Sequence, residues 1–352
     1  MVNLGDIAKA TGFSKATVSR VLSGDPSFTA KESTRHRVIQ VANELGYALR
    51  TSRSSIPLTI AVLENFDPSN GPQDSYFSDV REALRERAAE NMMSLTFFPD
   101  VRALVEAGQD YSGFVSLGPA PLTRDNLEAL HEALPHGVFI DINPAPTLFH
   151  SVRPDLQQTV IDAIYALRES GRERIAFIGG DGHVMGSHVF GQDPRTVAFD
   201  EWARLLAMPV EGLVRASGPF SVDNGRRQVD ELVESLGEDL PDAILVAADS
   251  LAVGVLQALS ARAIRVPDQV AVVSIDNLEV CQYTAPPLSS YAIEPSELAE
   301  TALMLLSDSI VGRFTHKHHV LLSTQLVARQ SFVPATAEPE SRAPGRTRIE
   351  GQ

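Results

Sequence analysis

The chain has 352 residues, 43% of them hydrophobic and 21% charged, and its 45 Asp and Glu outweigh 30 Lys and Arg to leave a formal charge of −15. That length predicts two or three domains with sizeable cores, and the composition excludes a disordered chain. No apolar run approaches the roughly 18–20 residues that span a bilayer, and the start, Met1 to Asp6, has no secretory pattern. A single cysteine, Cys281, excludes an internal disulfide framework and a multi-thiolate metal site. It reads as a small buried side chain in a reducing cytoplasm, which is the expected location of the protein.

Charge is spread unevenly. Residues 1–53 carry eight basic side chains against four acidic ones, or +4, which leaves −19 for the remainder. A basic arm on an acidic body is what a polyanion-binding module joined to something else looks like.

Asn3 caps a first helix with Asp6 in its first turn; Leu4, Ile7, Ala8 and Thr11 recur at helical spacing, and Gly12 stops it. Phe13 is a buried turn residue. Ser14 caps a second helix over 15–22, with Val18, Val21 and Leu22 inward and Lys15, Ser19 and Arg20 outward; Ser23-Gly24-Asp25-Pro26 breaks it. A third helix spans about 31–45, its stripe formed by Val38, Ile39, Val41, Ala42 and Leu45, with Gly46 at its end. Two short helices joined by a tight turn, with a third in support, describe a helix-turn-helix. The small residues Ala16 and Thr17 let the start of the second helix approach a major groove about 12 Å wide. Arg20 suits a bidentate pair with guanine and Lys15 a base edge or phosphate, while the Thr17 and Ser19 hydroxyls suit phosphates. Asn3 and Ser14, at the two helix starts, complete this expected DNA face. On the residues alone, a three-helix protein-binding module is the alternative.

The string Asp6-Ile7-Ala8, then Gly12-Phe13-Ser14-Lys15-Ala16-Thr17-Val18-Ser19-Arg20-Val21-Leu22, with Gly46-Tyr47 leaving the third helix, closely resembles the headpiece of the LacI/GalR family of bacterial repressors. The resemblance implies that Lys15 and Ala16 hold the main base-reading positions and that Arg20 contacts guanine. The stretch after Tyr47 departs from the family pattern: it lacks the Pro-Asn pair, is a few residues short and has no leucine at the place of the minor-groove wedge. No wedge is carried over. Arg50 and Arg53 contact phosphates or enter a narrow minor groove, or else belong to a flexible Ser-rich tether.

From Leu58 onward short apolar runs alternate with amphipathic stretches. Strands are expected at 58–63, 95–98, 114–117, 138–140, 175–178, 213–214, 243–246, 270–275 and 320–326. Helices are expected near 80–90, 126–133, 155–169, 196–206, 224–236, 251–261 and 298–310. Such alternation predicts parallel sheets covered on both faces, and two sets in sequence predict two lobes with a ligand cleft between them. The expected architecture is therefore an all-α helix-turn-helix headpiece (1–47), a hinge linker (48–57), an α/β two-lobed ligand-binding and dimerisation domain (58–333) and a disordered tail (334–352) without a leucine heptad.

The body resembles the periplasmic-binding-protein-like sensor domain of the same family, through Ile175-Ala176-Phe177-Ile178-Gly179-Gly180, Asp249-Ser250-Leu251-Ala252-Val253-Gly254, Ser274-Ile275-Asp276-Asn277 and Pro286-Pro287-Leu288-Ser289. Within the family it is most similar to repressors of galactose and β-galactosidase operons. The resemblance implies that Arg195, Asp249 and Asp276 hold ligand-site positions and that Phe220 stands where a stacking aromatic is often found. Tyr76 and Phe77 are expected on the opposite wall, with Asp141 a further candidate. Carboxylates and a guanidinium suit paired sugar hydroxyls, and aromatic rings suit apolar sugar faces. Ala247-Ala248 stands where many relatives have an asparagine before the aspartate, so one polar contact is missing.

No catalytic constellation, cofactor or metal site is expected. His316-Lys317-His318-His319 reads as a solvated loop, because adjacent imidazoles point to opposite sides of an extended segment. The expected function is a dimeric regulator, most simply a repressor released by a sugar, with half-sites roughly 34–36 Å apart. The alternatives are a co-repressor-dependent regulator of the same fold and a cytoplasmic sugar-binding protein with an incidental helical arm.

Overall fold

A computed structural model describes residues 3–23, 28, 30–45, 58–64, 75–118, 122–181, 184–185, 188–189, 192–237 and 239–335. The hinge with Arg50 and Arg53, and the tail beyond 335, lie outside the described residues. At the N-terminus, α1 (Leu4–Thr11), α2 (Lys15–Ser23) and α3 (Glu32–Glu44) enclose Ile7, Val18, Val21, Leu22, Val38, Ile39 and Ala42, all buried. Asn3 caps α1: its Oδ1 accepts from Gly5 N at 2.7 Å and its N–H donates to Asp6 Oδ2 at 2.9 Å. Gly12, at φ 78°, ends the helix in the left-handed region that favours glycine. Ser14 opens α2 by accepting from Thr17 N at 3.0 Å.

The body then runs β1 (Thr59–Glu64), α4 (Ser75–Glu90), β2 (Ser94–Phe98), α5 (Val101–Ala107), β3 (Gly113–Leu117), α6 (Arg124–Ala133), β4 (Gly137–Ile140) and β5 (His150–Pro154). It continues through α7 (Leu156–Glu169), β6 (Ile175–Gly179), the hairpin β7–β8 (Val184–Met185 and His188–Val189), α8 (Pro194–Leu205), β9 (Val214–Ala216) and α9 (Val222–Leu236). Next come β10 (Ala243–Val246), α10 (Asp249–Ala261), β11 (Ala271–Asp276) and β12 (Ser289–Ala292), and the body closes with α11 (Pro295–Ile310), β13 (His319–Leu322) and β14 (Gln325–Val327).

Two sheets result, in the orders β13-β5-β4-β3-β1-β2 and β14-β12-β11-β10-β6-β9. Their pairings are parallel except that β14 lies antiparallel to β12. The expected closing strand at 320–326 is a correction: it divides at Ser323-Thr324 into β13 and β14, which join different sheets. The break is polar and anchored, since Thr324 Oγ1 lies 2.8 Å from Thr159 Oγ1. The chain thus passes between lobes three times, after β5, after β12 and between β13 and β14. Asp155 N donates to Leu322 O at 2.8 Å, so two of these crossings are bonded side by side.

β5 and β12 carried no sequence signal because buried polar residues interrupt their apolar pattern. Ser289 Oγ donates to Phe332 O at 2.6 Å and Ser290 Oγ to Asp249 Oδ1 at 2.7 Å, so both hydroxyls are satisfied in the core. The histidine segment is a loop before β13 with His316, His318 and His319 exposed, as expected, and it makes specific contacts along one side. The His318 ring centroid lies 4.0 Å from that of Phe314, His318 N donates to His150 Nδ1 at 2.9 Å, and His319 opens β13 with Nδ1 2.9 Å from Ser151 Oγ.

Glycine decides one contact that orients the cleft. Gly225 of α9 faces the Leu251 carbonyl and Gly254 of α10 faces the Val222 carbonyl, each too closely for a Cβ. Gly254→Ala is expected to cost about 1–3 kcal/mol by overpacking this crossing, read as a lower denaturation midpoint in urea. Burial, with Lys317, His318 and His319 adding to it, holds His150 down at about 4. The folded state therefore keeps His150 neutral while the unfolded chain protonates near pH 6.5, so this contribution is complete above that pH and is lost as pH falls from about 6.5 towards 4. The thermal midpoint should drop more steeply between pH 7 and 5 in the wild type than in His150→Asn; parallel curves would remove the assignment.

Candidate functional site

At about 100° per residue, Lys15, Ser19, Ala16 and Arg20 fall within an arc of roughly 140° on α2. Lys15, Ala16 and Arg20 are exposed and Ser19 half-buried, while Val18, Val21 and Leu22 turn inward. The Arg20 guanidinium lies 5.5 Å from the Phe28 ring centroid, a support that the sequence did not reveal. The Ser14 and Thr17 hydroxyls are 2.8 Å apart and start the helix together. Asn3 is engaged in capping α1.

The second site lies where C-terminal strand ends of the two sheets converge. Asp141 follows β4 and Tyr76 opens α4 in one lobe; Arg195 stands in the first turn of α8, Phe220 precedes α9 and Asp276 ends β11 in the other. Pro194 and the N-cap Asp193 fix the start of α8, and the Asp193 carboxylate holds the guanidinium in a fork: Arg195 Nε to Oδ1 at 2.7 Å and Nη2 to Oδ2 at 2.9 Å. Nη1 donates to Ala247 O at 2.7 Å, and the Phe220 ring centroid is 4.7 Å from Arg195 Cζ. Ser250 Oγ donates to Phe220 O at 3.0 Å, and Asn224 Nδ2 donates to Pro219 O at 2.7 Å, so the aromatic loop is pinned from both sides. Gly180 leaves the space into which the Phe220 ring fits.

The charges of this group act on one another. Burial alone would lower the Arg195 pKa, but Asp193, Asp276 and Asp141 together raise it. Burial pushes the Tyr76 phenol well above its ordinary value, Asp141 and Asp276 push it further, and Arg195 opposes them. Burial, with Asp249 adding, raises Asp276 well above the ordinary carboxyl value against the pull of Arg195. Tyr76 Oη is buried without a hydrogen-bond partner among the described residues. Phe77 meets Tyr76 edge-on, with centroids 5.0 Å apart, and so supports that ring.

Asp249 is different. It is fully buried, and its carboxylate accepts from Ser274 Oγ, from Ser290 Oγ at 2.7 Å and from Leu278 N at 2.6 Å. Those bonds brace the turn in which Asp276 and Asn277 take φ values of 111° and 58°. Arg329 Nη2 adds a bond to Asn277 Oδ1 at 2.7 Å.

Two regions match known families: residues 3–48 match the bacterial regulatory proteins of the lacI family, and residues 164–332 match the periplasmic binding protein-like domain. The chain is 36% identical over 334 residues to the HTH-type transcriptional regulator LacR of Lactobacillus helveticus, covering 95% of this chain and 99% of that protein. The chain belongs to the LacI family. It is also 32% identical to the HTH-type transcriptional regulator GanR of Bacillus subtilis, over 94% of this chain and 100% of that one. A solved transcriptional regulator CelR–cellobiose complex aligns with a TM-score of 0.65 at 25% identity, covering 94% and 100% of the two chains. The lac repressor dimer bound to operator and the anti-inducer ONPF shares the fold, with a TM-score of 0.63 at 22% identity over 94% and 98%.

This LacI-family chain is thus a ligand-responsive transcriptional regulator, and its relatives are regulators rather than enzymes. No helix among the described residues is long and apolar enough to cross a membrane. The Asp249 carboxylate is fully buried and bonded to Ser274, Ser290 and the Leu278 N–H, beside Asp276. Asp193, half of the central ion pair, was missed; Pro194 after an acidic N-cap was the available signal. Asp249→Ala should destabilise this regulator by roughly 2–4 kcal/mol by orphaning buried donors, while Asp249→Asn should cost less; thermal denaturation of both variants checks it.

Proposed function

We propose that this LacI-family regulator is a cytoplasmic repressor that binds a near-palindromic operator as a dimer and releases it when a sugar of galactoside type fills the cleft. The observation that carries the reading is the convergence of Tyr76, Asp141, Arg195, Asp276 and Phe220 between two lobes joined by three crossings. Carboxylates offer acceptors to paired hydroxyls, and Phe220 offers a face for sugar C–H groups. The cellobiose in the CelR complex and the operator-bound lac repressor dimer support the same reading here.

Residues 1–47 form the headpiece, 48–57 the hinge and 58–333 the sensing and dimerising body. Lys15, Ala16 and Arg20 read bases; Ser14, Thr17, Ser19 and the Asn3 helix start set the register on phosphates, with Arg50 and Arg53 adding charge. Closing or rotating the lobes changes headpiece spacing, and the sugar shifts DNA affinity only as far as its own affinity differs between the two states.

Gel shifts with the chain's own upstream DNA test this. Arg20→Ala should weaken specific binding by roughly 10–100-fold, the worth of a bidentate base contact, and Lys15→Ala should also flatten the salt dependence. A galactoside should release the DNA. Unchanged affinity in both variants would remove the recognition-helix assignment, and tighter binding with sugar would reverse the sign of control.

A further inference from the structure

The two lobes contribute to the cleft on unequal terms. On the lobe of β6–β12 the polar groups are bonded within that lobe. Arg195 is forked onto the buried Asp193 and donates to the Ala247 carbonyl. Asp276 accepts from the backbone N–H of Asp249 at the start of α10, and Ser250 and Asn224 hold the loop that carries Phe220. This half of the site is braced by its own scaffold.

The lobe of β1–β5 presents Tyr76, in the first turn of α4. Its Oη is shielded from water yet has no hydrogen-bond partner among the described residues. The same oxygen lies within electrostatic reach of Asp141 on its own lobe and of Asp276 and Arg195 on the other. Burial and the two carboxyl groups keep the phenol protonated, so it has a hydrogen to donate. The ring is held in place: Phe77 meets it edge-on at 5.0 Å, and α4 is fixed to its lobe by the buried Val80, Ala83, Leu84 and Ala88. Along its length α4 packs on α11, which starts at Pro295, two residues beyond Ile293, whose N–H donates to Asp276 O at 3.3 Å.

A buried hydroxyl left unbonded is costly, and native structures rarely keep one without a use. A ligand shifts an equilibrium only through interactions that differ between its two states. Contacts with a single lobe are the same at every lobe angle, whereas a bond from the second lobe to the same ligand depends on that angle. We infer that Tyr76 Oη is the contact that turns effector binding into control of DNA: a sugar seated on Arg195, Asp276 and Phe220 meets the Tyr76 hydroxyl only in the lobe arrangement that releases the operator. The inference rests on the reading of the cleft as a sugar site that works by release. Arg195 and Phe220 then set how tightly the sugar is held, and Tyr76 sets how far its binding changes the affinity for DNA.

Tyr76→Phe removes one oxygen and keeps the ring. Calorimetric titration of the full-length protein with lactose and with methyl β-galactoside, alone and saturated with its operator fragment, gives the ratio of the two sugar affinities. In Tyr76→Phe the affinity of the DNA-free protein should fall by roughly 2–10-fold, the worth of one hydrogen bond, while that of the operator-bound protein stays unchanged, so the ratio falls by the same factor. Phe220→Leu should weaken sugar binding to both forms and keep the wild-type ratio. Because the hydroxyl has no partner to lose, Tyr76→Phe should leave the thermal midpoint of the sugar-free protein unchanged or raise it. A wild-type ratio in Tyr76→Phe, or a midpoint lowered by several degrees, overturns the inference. Wild-type protein that binds its operator but neither galactoside overturns the sugar reading and the inference with it.

Discussion

The buried pair between Arg195 and Asp193 is the constraint around which the sensing body is organised. A guanidinium this deep is tolerated only when its charge is matched and its donors are bonded, and here a single acidic N-cap does both while also starting α8. Fixed in this way, Arg195 becomes a platform. Phe220 lies over it, Tyr76 and Asp141 from the other lobe feel its charge, and Asp276 is held nearby by its own braced turn. Removing the match would leave a buried charge at the point where groups of the two lobes face each other.

The proposed control of DNA relies on connectivity. The chain crosses between the lobes three times, with the crossings bonded to one another at Asp155–Leu322 and Thr159–Thr324, so the proposed turning of the lobes would occur about that strap. Asp276 belongs to the strap as well as to the cleft, since Ile293 N, at the second crossing, donates to its carbonyl at 3.3 Å. A ligand that engages Asp276 thereby touches the element on which lobe geometry depends.

Much of this was legible in the sequence where local physics speaks alone. The Asn3 and Ser14 caps, the Gly12 stop and the inward Val18, Val21 and Leu22 are local effects, and they specify the headpiece. The parallel strands of the body other than β5 and β12 read directly from their apolar runs. What stayed hidden depends on partners distant in the chain. Ser289 and Ser290 look like loop residues until Phe332 and Asp249 satisfy them, and one apolar run at 320–326 conceals a passage between sheets. The roles of Asp249 and Asp193 were illegible for the same reason: an aspartate at a helix start has the same sequence signature whether it faces ligand, braces a turn or holds an arginine.

The account stands on coupling between cleft and headpiece, and coupling is reciprocal. The most direct measurement is the affinity of the full-length protein for a galactoside, by titration calorimetry, alone and saturated with its operator fragment. The account predicts weaker sugar binding on DNA, by the same factor as the sugar weakens DNA binding. Equal sugar affinity in both states would contradict it.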